Sequence, residues 1–192
     1  MIKKTTVFLA LVSFIVSHNV KAETNMDGQT NFNAEVKLMN FTKSEKTKVI
    51  KAVDLIKQVV ASEEFKQEVL NHTYEGRLAF ADNKGFTNEE IYQRIIEASE
   101  KLSPGVDYTM DITLVAFFKD AVTVGYTVTN SPKIFMNRKF FGKQKAEAVT
   151  ANIVHEWLHK IGFQHDVSAT ASRPFSVPYS VGYIVRRLAK NL

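Results

Sequence analysis

The chain contains no cysteine among its 192 residues. Disulfide bonds, a lipidated cysteine and a thiolate metal ligand are therefore all excluded. A chain of this length is long enough to form one domain with a substantial hydrophobic core. Its stability must come from that core, and from a metal ion if the protein binds one.

An excess of charge of one sign is also nearly absent. The formal net charge is +5, and Lys3, Lys4 and Lys21 lie within residues 1–22, which hold no acidic residue. Without these three lysines, residues 23–192 keep a net charge of only +2. No stripe of lysine and arginine with interleaved aromatic residues is present. The composition therefore indicates no nucleic-acid partner.

Long apolar runs are absent apart from residues 7–16, which are too few to span a bilayer as a stable helix. This run follows a basic start and precedes Val20-Lys21-Ala22, the small-x-small pattern of a signal cleavage site. An N-terminal membrane anchor is the alternative, but no stop-transfer pattern follows. We predict that residues 1–22 are a signal peptide and that residues 23–192 are a single domain. The mature protein would be secreted or periplasmic, without stable membrane insertion.

The hydrophobic patterning predicts an α+β fold. Apolar residues recur at helical spacing in several segments, and runs typical of strands with turn residues between them occupy much of the rest. The predicted helices span residues 45–61, 87–102 and 146–161, with a further helical piece in 62–72 and a last helix from Pro178; the predicted strands span 32–38, 108–118, 122–128 and 133–136. Apart from its short strand, the segment 23–41 is predicted to be a flexible N-terminal segment.

One stretch carries a chemical pattern. Residues 155–165 read His-Glu-Trp-Leu-His-Lys-Ile-Gly-Phe-Gln-His. His155 and His159 are four residues apart, so on a helix both imidazoles project from one face. Gly162 can adopt the left-handed conformation that ends a helix, and the returning chain would bring in His165. Three protein ligands leave the fourth position of a zinc ion for water, as in catalytic zinc sites.

The acid beside the first histidine, Glu156, is expected to hold the water on such a metal. The alternative is that these are ordinary surface or core histidines of a helix, but a match at five fixed positions seldom arises by chance. His72 has no ligand spacing and is predicted to be a partly exposed residue near a helix end. The basic residues Arg186, Arg187 and Lys190 are predicted to form a solvated helix surface.

The motif His-Glu-x-x-His-x-x-Gly-x-x-His resembles that of the metzincin clan of zinc metallopeptidases. The resemblance is specific over residues 155–166 and architectural elsewhere. It implies a metzincin-like (zincin) fold with a twisted mixed sheet, a backing helix, an active-site helix and a small C-terminal helical subdomain. It also implies that His155, His159 and His165 bind one Zn²⁺. Glu156 would then be the general base and acid that carries a proton from the attacking water to the leaving amine.

The same resemblance assigns roles to residues after the motif. Asp166 would hold the loop or bind backbone, with an ordinary turn aspartate as the alternative. Metzincins have a methionine turn beneath the zinc, but no methionine follows Met136 here. In the segment Phe175-Ser176-Val177-Pro178-Tyr179, Val177 would replace that methionine as the apolar floor. Tyr179 would be the tyrosine that approaches the metal or stabilises the transition state, unless it is a core aromatic.

The leading hypothesis is an exported zinc-dependent metalloendopeptidase that acts on protein or peptide substrates. In this architecture the peptide pairs with an edge strand, for which residues 121–128 and 133–137 are the candidates. Two alternatives stay open: a secreted metal-binding module without proteolytic activity, and a narrow-specificity hydrolase of cell-wall peptides. The sequence carries no signal for the oligomeric state or for a blocking pro-segment in residues 23–41.

Overall fold

A computed structural model describes residues 31–103, 105–128 and 130–192. The predicted signal peptide, residues 1–22, lies outside the described residues. The described chain is a mixed α+β structure, as predicted. Its strands are β1 (Asn33–Met39), β2 (Thr73–Tyr74), β3 (Arg77–Leu78), β4 (Thr109–Phe117), β5 (Gly125–Thr127) and β6 (Lys133–Asn137). Its helices are α1 (Lys43–Val60), α2 (Glu63–Leu70), α3 (Asn88–Ile96), α4 (Arg138–Phe141), α5 (Ala146–Ile161) and α6 (Val177–Ala189), with a 3-10 helix at Arg173–Phe175.

Four of the strands form one mixed sheet in the order β1-β4-β6-β5. Strands β1, β4 and β6 are parallel, whereas β5 runs antiparallel to β6 at the edge. At the centre, Leu114 pairs with Leu38 on one side and with Ile134 on the other. Strand β6 is thus an interior strand, so of the two candidate edge segments only 121–128 contains an edge strand. An edge strand can accept a further chain through its unpaired backbone groups.

Helix α5 is the central helix and contacts α1, α3, α6 and the β5–β6 end of the sheet. Its apolar face is fully buried and includes Val149, Ile153 and Trp157. The hydroxyl of Thr150 donates to the carbonyl of Ala52 at 3.2 Å and so joins α5 to α1. Among the described residues, no helix has both the length and the apolar character that crossing a membrane requires.

The predicted helix boundaries hold where the local signals are strong. Thr42 and Thr87 both form the capping boxes that precede α1 and α3, each with the glutamate three residues on. The prediction for the end of α3 is wrong, because the helix stops at Ile96 instead of residue 102. Ala98 adopts a positive φ of 50°, which takes the backbone out of the helix. The residues that follow are turned towards α5.

One strand prediction also changes. The edge strand is confined to Gly125–Thr127, shorter than the predicted 122–128. The side-chain amide of Asn137 donates to the carbonyls of Lys119 and Thr123, at 2.8 and 3.0 Å. These bonds hold the preceding loop away from regular pairing. The short strand predicted at residues 32–38 is present as β1 at residues 33–39.

A buried acid supports α5 from behind. Glu100 is only 6% exposed, and its Oε1 accepts the indole N–H of Trp157 at 2.6 Å and the backbone N–H of Asp111 at 3.1 Å. Burial raises the pKa of Glu100 to about 7, although both hydrogen bonds act to lower it. The carboxyl group therefore couples folding to protonation.

We predict that Glu100 makes the protein less stable as the pH rises. Its pKa is about 7 in the folded state against 4.5 as the ordinary value, so the stabilisation is complete below the ordinary value and is lost as the pH rises through the folded one. In Glu100→Gln the amide oxygen still accepts both hydrogen bonds but does not titrate. The free energy of unfolding of the wild type, relative to this variant, should fall by about 3 kcal/mol between about pH 4.5 and 8.5. Urea denaturation measures the free energy of unfolding at each pH. Parallel pH profiles for the wild type and Glu100→Gln would contradict the prediction.

Candidate metal centre

Helix α5 and the turn after it bring three histidines together. The ring centroids of His155 and His159, one turn apart on the helix, are separated by 5.1 Å. The helix ends at Ile161 and is capped by Gly162, which has a left-handed φ of 115° and whose N–H donates to the carbonyl of Leu158 at 3.1 Å. The chain then reverses, and the ring centroid of His165 lies 5.1 Å from that of His155 and 4.9 Å from that of His159.

The three histidines form a group that could hold a metal ion. One ligand nitrogen from each lies within 4.8 Å of the others. The Nε2 atoms of His155 and His165 are 3.2 Å apart. Two nitrogens bound at about 2.0–2.1 Å to a tetrahedral zinc ion lie about 3.3 Å apart. This pair therefore has the spacing that a small tetrahedral ion requires.

Each imidazole of the group also has a backbone carbonyl partner. The pairs are His155 with Pro178, His159 with Phe163, and His165 with Asp166. In the last two pairs the ring Nδ1 lies 2.8 Å from the carbonyl oxygen. A hydrogen bond from one ring nitrogen to a carbonyl sets the tautomer and leaves the other nitrogen as a potential ligand. The ring orientations are thus held by the protein itself.

Burial keeps two of the imidazoles neutral. It lowers the pKa of His155 to about 3, and the charges of the other two histidines act in the same direction. Burial also lowers the pKa of His159. A metal ion binds the neutral imidazole, so neither ring must lose a proton first near neutral pH.

A carboxyl group lies beside the histidines. Glu156, on α5, lines the same cleft and is only 6% exposed. Burial raises the pKa of Glu156 to about 7, while the positive charge of Lys160, one turn further along, acts to lower it. A carboxyl group in such surroundings can both accept and release a proton near neutral pH.

The site opens into a cleft of about 940 Å³. One wall is formed by β5 with the loop before it, and the opposite wall by α6. Tyr126 and Thr127 belong to the first wall, and Tyr183 and Arg186 to the second. The three histidines line the same cleft, and their helix α5 contacts both β5 and α6.

Lys160 holds the β5 wall against α5. Its amine donates to the carbonyls of Val128 at 2.7 Å and Ser131 at 2.5 Å, in the turn between β5 and β6. At the other end of the strand, a Cβ on Gly125 would lie 2.9 Å from Nδ2 of Asn152 on α5. The glycine therefore allows the strand to pass close to the helix, and the lysine ties its far end down.

The structure brings Tyr179 to the histidines. The centroid of its ring is 4.6 Å from that of His155 and 4.8 Å from that of His165. The guanidinium of Arg173 lies 5.0 Å from the centre of the Tyr179 ring. Val177 is fully buried at the start of α6 and is an apolar core residue, the character predicted for the replacement of the methionine. The tyrosine, unlike the valine, faces the cleft.

Asp166 and His72 have structural contacts. The Asp166 carboxylate accepts the hydroxyl of Thr170 at 2.7 Å and so holds the loop after the third histidine. His72 stacks on Phe80, with ring centroids 4.0 Å apart, and does not belong to the metal-binding group.

The sequence pattern does not single out Lys160. Its spacing of four residues from Glu156 is the one available signal, because oppositely charged residues at that spacing are neighbours on a helix.

No protein-family model matches the chain, and no curated protein sequence matches it significantly.

We predict that the three histidines bind one zinc ion with high affinity. Replacing His165 by Ala leaves two ligands and should weaken zinc binding by more than about 100-fold, a larger effect than the loss of an outer hydrogen bond to a ligand. Metal analysis and competition with a chromophoric chelator measure stoichiometry and affinity. His72→Gln is the control because His72 lies outside the group, and it should bind zinc like the wild type. Equal affinities for the wild type and His165→Ala would rule the site out.

Proposed function

We propose that the protein is a zinc-dependent metalloendopeptidase of the metzincin type. The observation that carries the proposal is the grouping of three histidines beside a buried glutamate at the floor of an open cleft. His155, His159 and His165 would hold the zinc ion, since imidazole nitrogen is a preferred ligand of zinc. All three come from one helix and the turn that follows it.

The chemistry follows from what surrounds these ligands. A bound zinc ion supplies a Lewis acid and lowers the pKa of water toward neutrality. Glu156 takes a proton from the water that attacks the scissile carbonyl and passes it to the leaving amine. Tyr179 lies against two of the histidines, where its hydroxyl can donate to the carbonyl oxygen as that oxygen becomes negative.

The arrangement of the elements supports the metzincin type. The mixed sheet with its antiparallel edge strand β5, a helix α1 packed behind α5, and a C-terminal helix α6 correspond to the parts that the resemblance implies. An extended peptide can add to β5 by main-chain hydrogen bonds, which gives affinity without demanding a particular sequence. Such a peptide would lie over the histidines, as an endopeptidase requires.

Export is part of the proposal. It rests on the basic start, apolar run and small-x-small pattern of residues 1–22, which together are typical of a secretory signal. The protein would then act outside the cytoplasm, in the periplasm or after secretion. Protein or peptide substrates in that compartment are its expected partners.

A second candidate function is a secreted metal-binding module that does not hydrolyse peptides. One observation favours it: the apolar residue at the start of α6 is Val177, where the metzincin pattern has methionine. The retained Glu156 favours the peptidase. The two candidates differ in the effect of removing that carboxylate alone.

We predict that Glu156→Gln greatly slows hydrolysis without loss of zinc. The amide has the size of the carboxyl group but cannot take up a proton, and general base catalysis contributes about 10²–10⁴-fold to rates. The value of kcat on a quenched-fluorescence peptide library should fall by that factor, with zinc content unchanged. Glu147→Gln, at the first turn of α5, is the matched control and should stay active. Wild-type protein that is loaded with zinc and cleaves nothing in the library would favour the non-proteolytic module.

We predict that Tyr179→Phe lowers kcat by about 10-fold to 100-fold, since it removes one donor to the developing oxyanion. The value of KM and the zinc content should change little, because the aromatic ring and its contacts remain. Tyr183→Phe, one turn further on the same helix, controls for loss of a hydroxyl in the cleft. An unchanged kcat in Tyr179→Phe would leave this residue with a packing role only.

A further inference from the structure

The charges lining the cleft are unevenly distributed. Among the described residues that line the cleft, Glu156 is the only acidic one, whereas Lys160, Arg173 and Arg186 are cationic. Lys160 is buried next to Glu156 and donates to the turn between β5 and β6, so these two charges offset each other. The two arginines therefore give the cleft a positive charge even before a metal ion adds its own.

The two arginines differ in how they are held. Arg173 donates to the carbonyl of Val167 at 3.1 Å, and its guanidinium lies over the ring of Tyr179. It is thus fixed beside the metal centre. The side chain of Arg186 is exposed and has no hydrogen bond or ion pair with any part of the chain that the structure describes. Its neighbour Arg187 does form an ion pair, with Glu68 on α2.

Arg186 belongs to the face of α6 that lines the cleft. Tyr179, Gly182, Tyr183 and Arg186 all line it, and their spacing is that of one side of a helix. Gly182 lets this face approach α5, because a Cβ there would lie 3.3 Å from the carbonyl oxygen of Ala151. The sequence predicted only a solvated helix surface for Arg186. The residue is also part of the cleft wall.

The position of Arg186 along α6 determines how far it lies from the metal centre. Arg186 is seven residues beyond Tyr179, which corresponds to about 10 Å along a helix axis. That length equals about three residues of an extended chain. The lining of the cleft also includes two apolar side chains, Val122 and Val167, which are 91% and 94% exposed. An occupant with both carboxylate and apolar groups fits these surroundings better than a small inorganic anion.

We propose that Arg186 forms a carboxylate-binding subsite that directs the enzyme towards acidic peptide segments, with the acidic residue about three residues from the scissile bond. The proposal rests on the proposed peptidase function and adds its substrate class. A carboxylate meeting a guanidinium that has no other partner forms a charge-assisted hydrogen bond, and the fork geometry of arginine suits it. A substrate lysine at the same place would be repelled.

The test compares quenched-fluorescence peptides that differ only in one residue, Glu, Gln or Lys, moved position by position from the cleavage site. Wild-type protein should cleave the glutamate peptide with a kcat/KM about threefold to fivefold above that of the glutamine peptide, the size of one exposed ion pair. Arg186→Gln should remove this preference, and Arg186→Glu should transfer it to the lysine peptide. Added salt should weaken the preference by screening.

Lys190→Gln is the charge-matched control, because Lys190 caps the C-terminal end of the same helix but does not line the cleft. It should keep the wild-type preference. Peptides with a free or an amidated C-terminus distinguish an acidic side chain from a terminal carboxylate as the bound group. Cleavage with equal kcat/KM for the three peptides at every position would overturn the subsite and leave the peptidase function intact.

A binding measurement separates the two proposals. Fluorescence anisotropy of a dye-labelled peptide with glutamate at the preferred distance, against its lysine counterpart, reports the subsite without hydrolysis. Tighter binding of the glutamate peptide that disappears in Arg186→Glu, in a protein that cleaves nothing, would uphold the subsite and refute the peptidase. Equal binding of both peptides would refute the subsite.

Discussion

The position of helix α5 is the constraint on which the candidate site depends, because this helix carries two of the three histidines and the buried glutamate. It is held from three sides. Trp157 donates to Glu100 behind it, Thr150 donates to α1, and Lys160 donates to the turn of the edge strand. These bonds fix the imidazoles relative to the cleft walls before any ligand arrives. A preorganised site of this kind loses little conformational entropy when it binds.

Burial also determines the pKa shifts of His155 and Glu156 on α5. Removing charged groups from water lowers the pKa of a histidine and raises the pKa of a carboxyl group. His155 and Glu156, adjacent in sequence, are shifted in these opposite directions by one cause. The neutral imidazole is the form that binds a metal, and Arg173 and Arg186 add positive charge to the lining of the cleft.

Features of the fold that depend on residues close in sequence were predicted correctly, and features that depend on distant residues were not. Helix α5 and the start of α3 depend on neighbours within a few residues, and both were predicted. The end of α3 and the length of β5 were not. In both cases a side chain distant in sequence decides the backbone: Glu100 turns towards Trp157, and Asn137 binds the loop before β5. Secondary-structure propensities do not predict such contacts, because the contacts exist only after the sheet and α5 have packed together.

The sequence by itself determined the histidine motif of the candidate metal site, since the spacing of the histidines and the glycine at position 162 depend only on helix geometry and on one left-handed residue. It also determined the α+β class through its hydrophobic periods. Only the tertiary structure decided that Tyr179 lies against the histidines, that Lys160 ties the edge strand to their helix, and that Arg186 lines the cleft. These placements depend on how α6 and β5 pack against α5. Packing brings together residues whose proximity no local sequence pattern predicts.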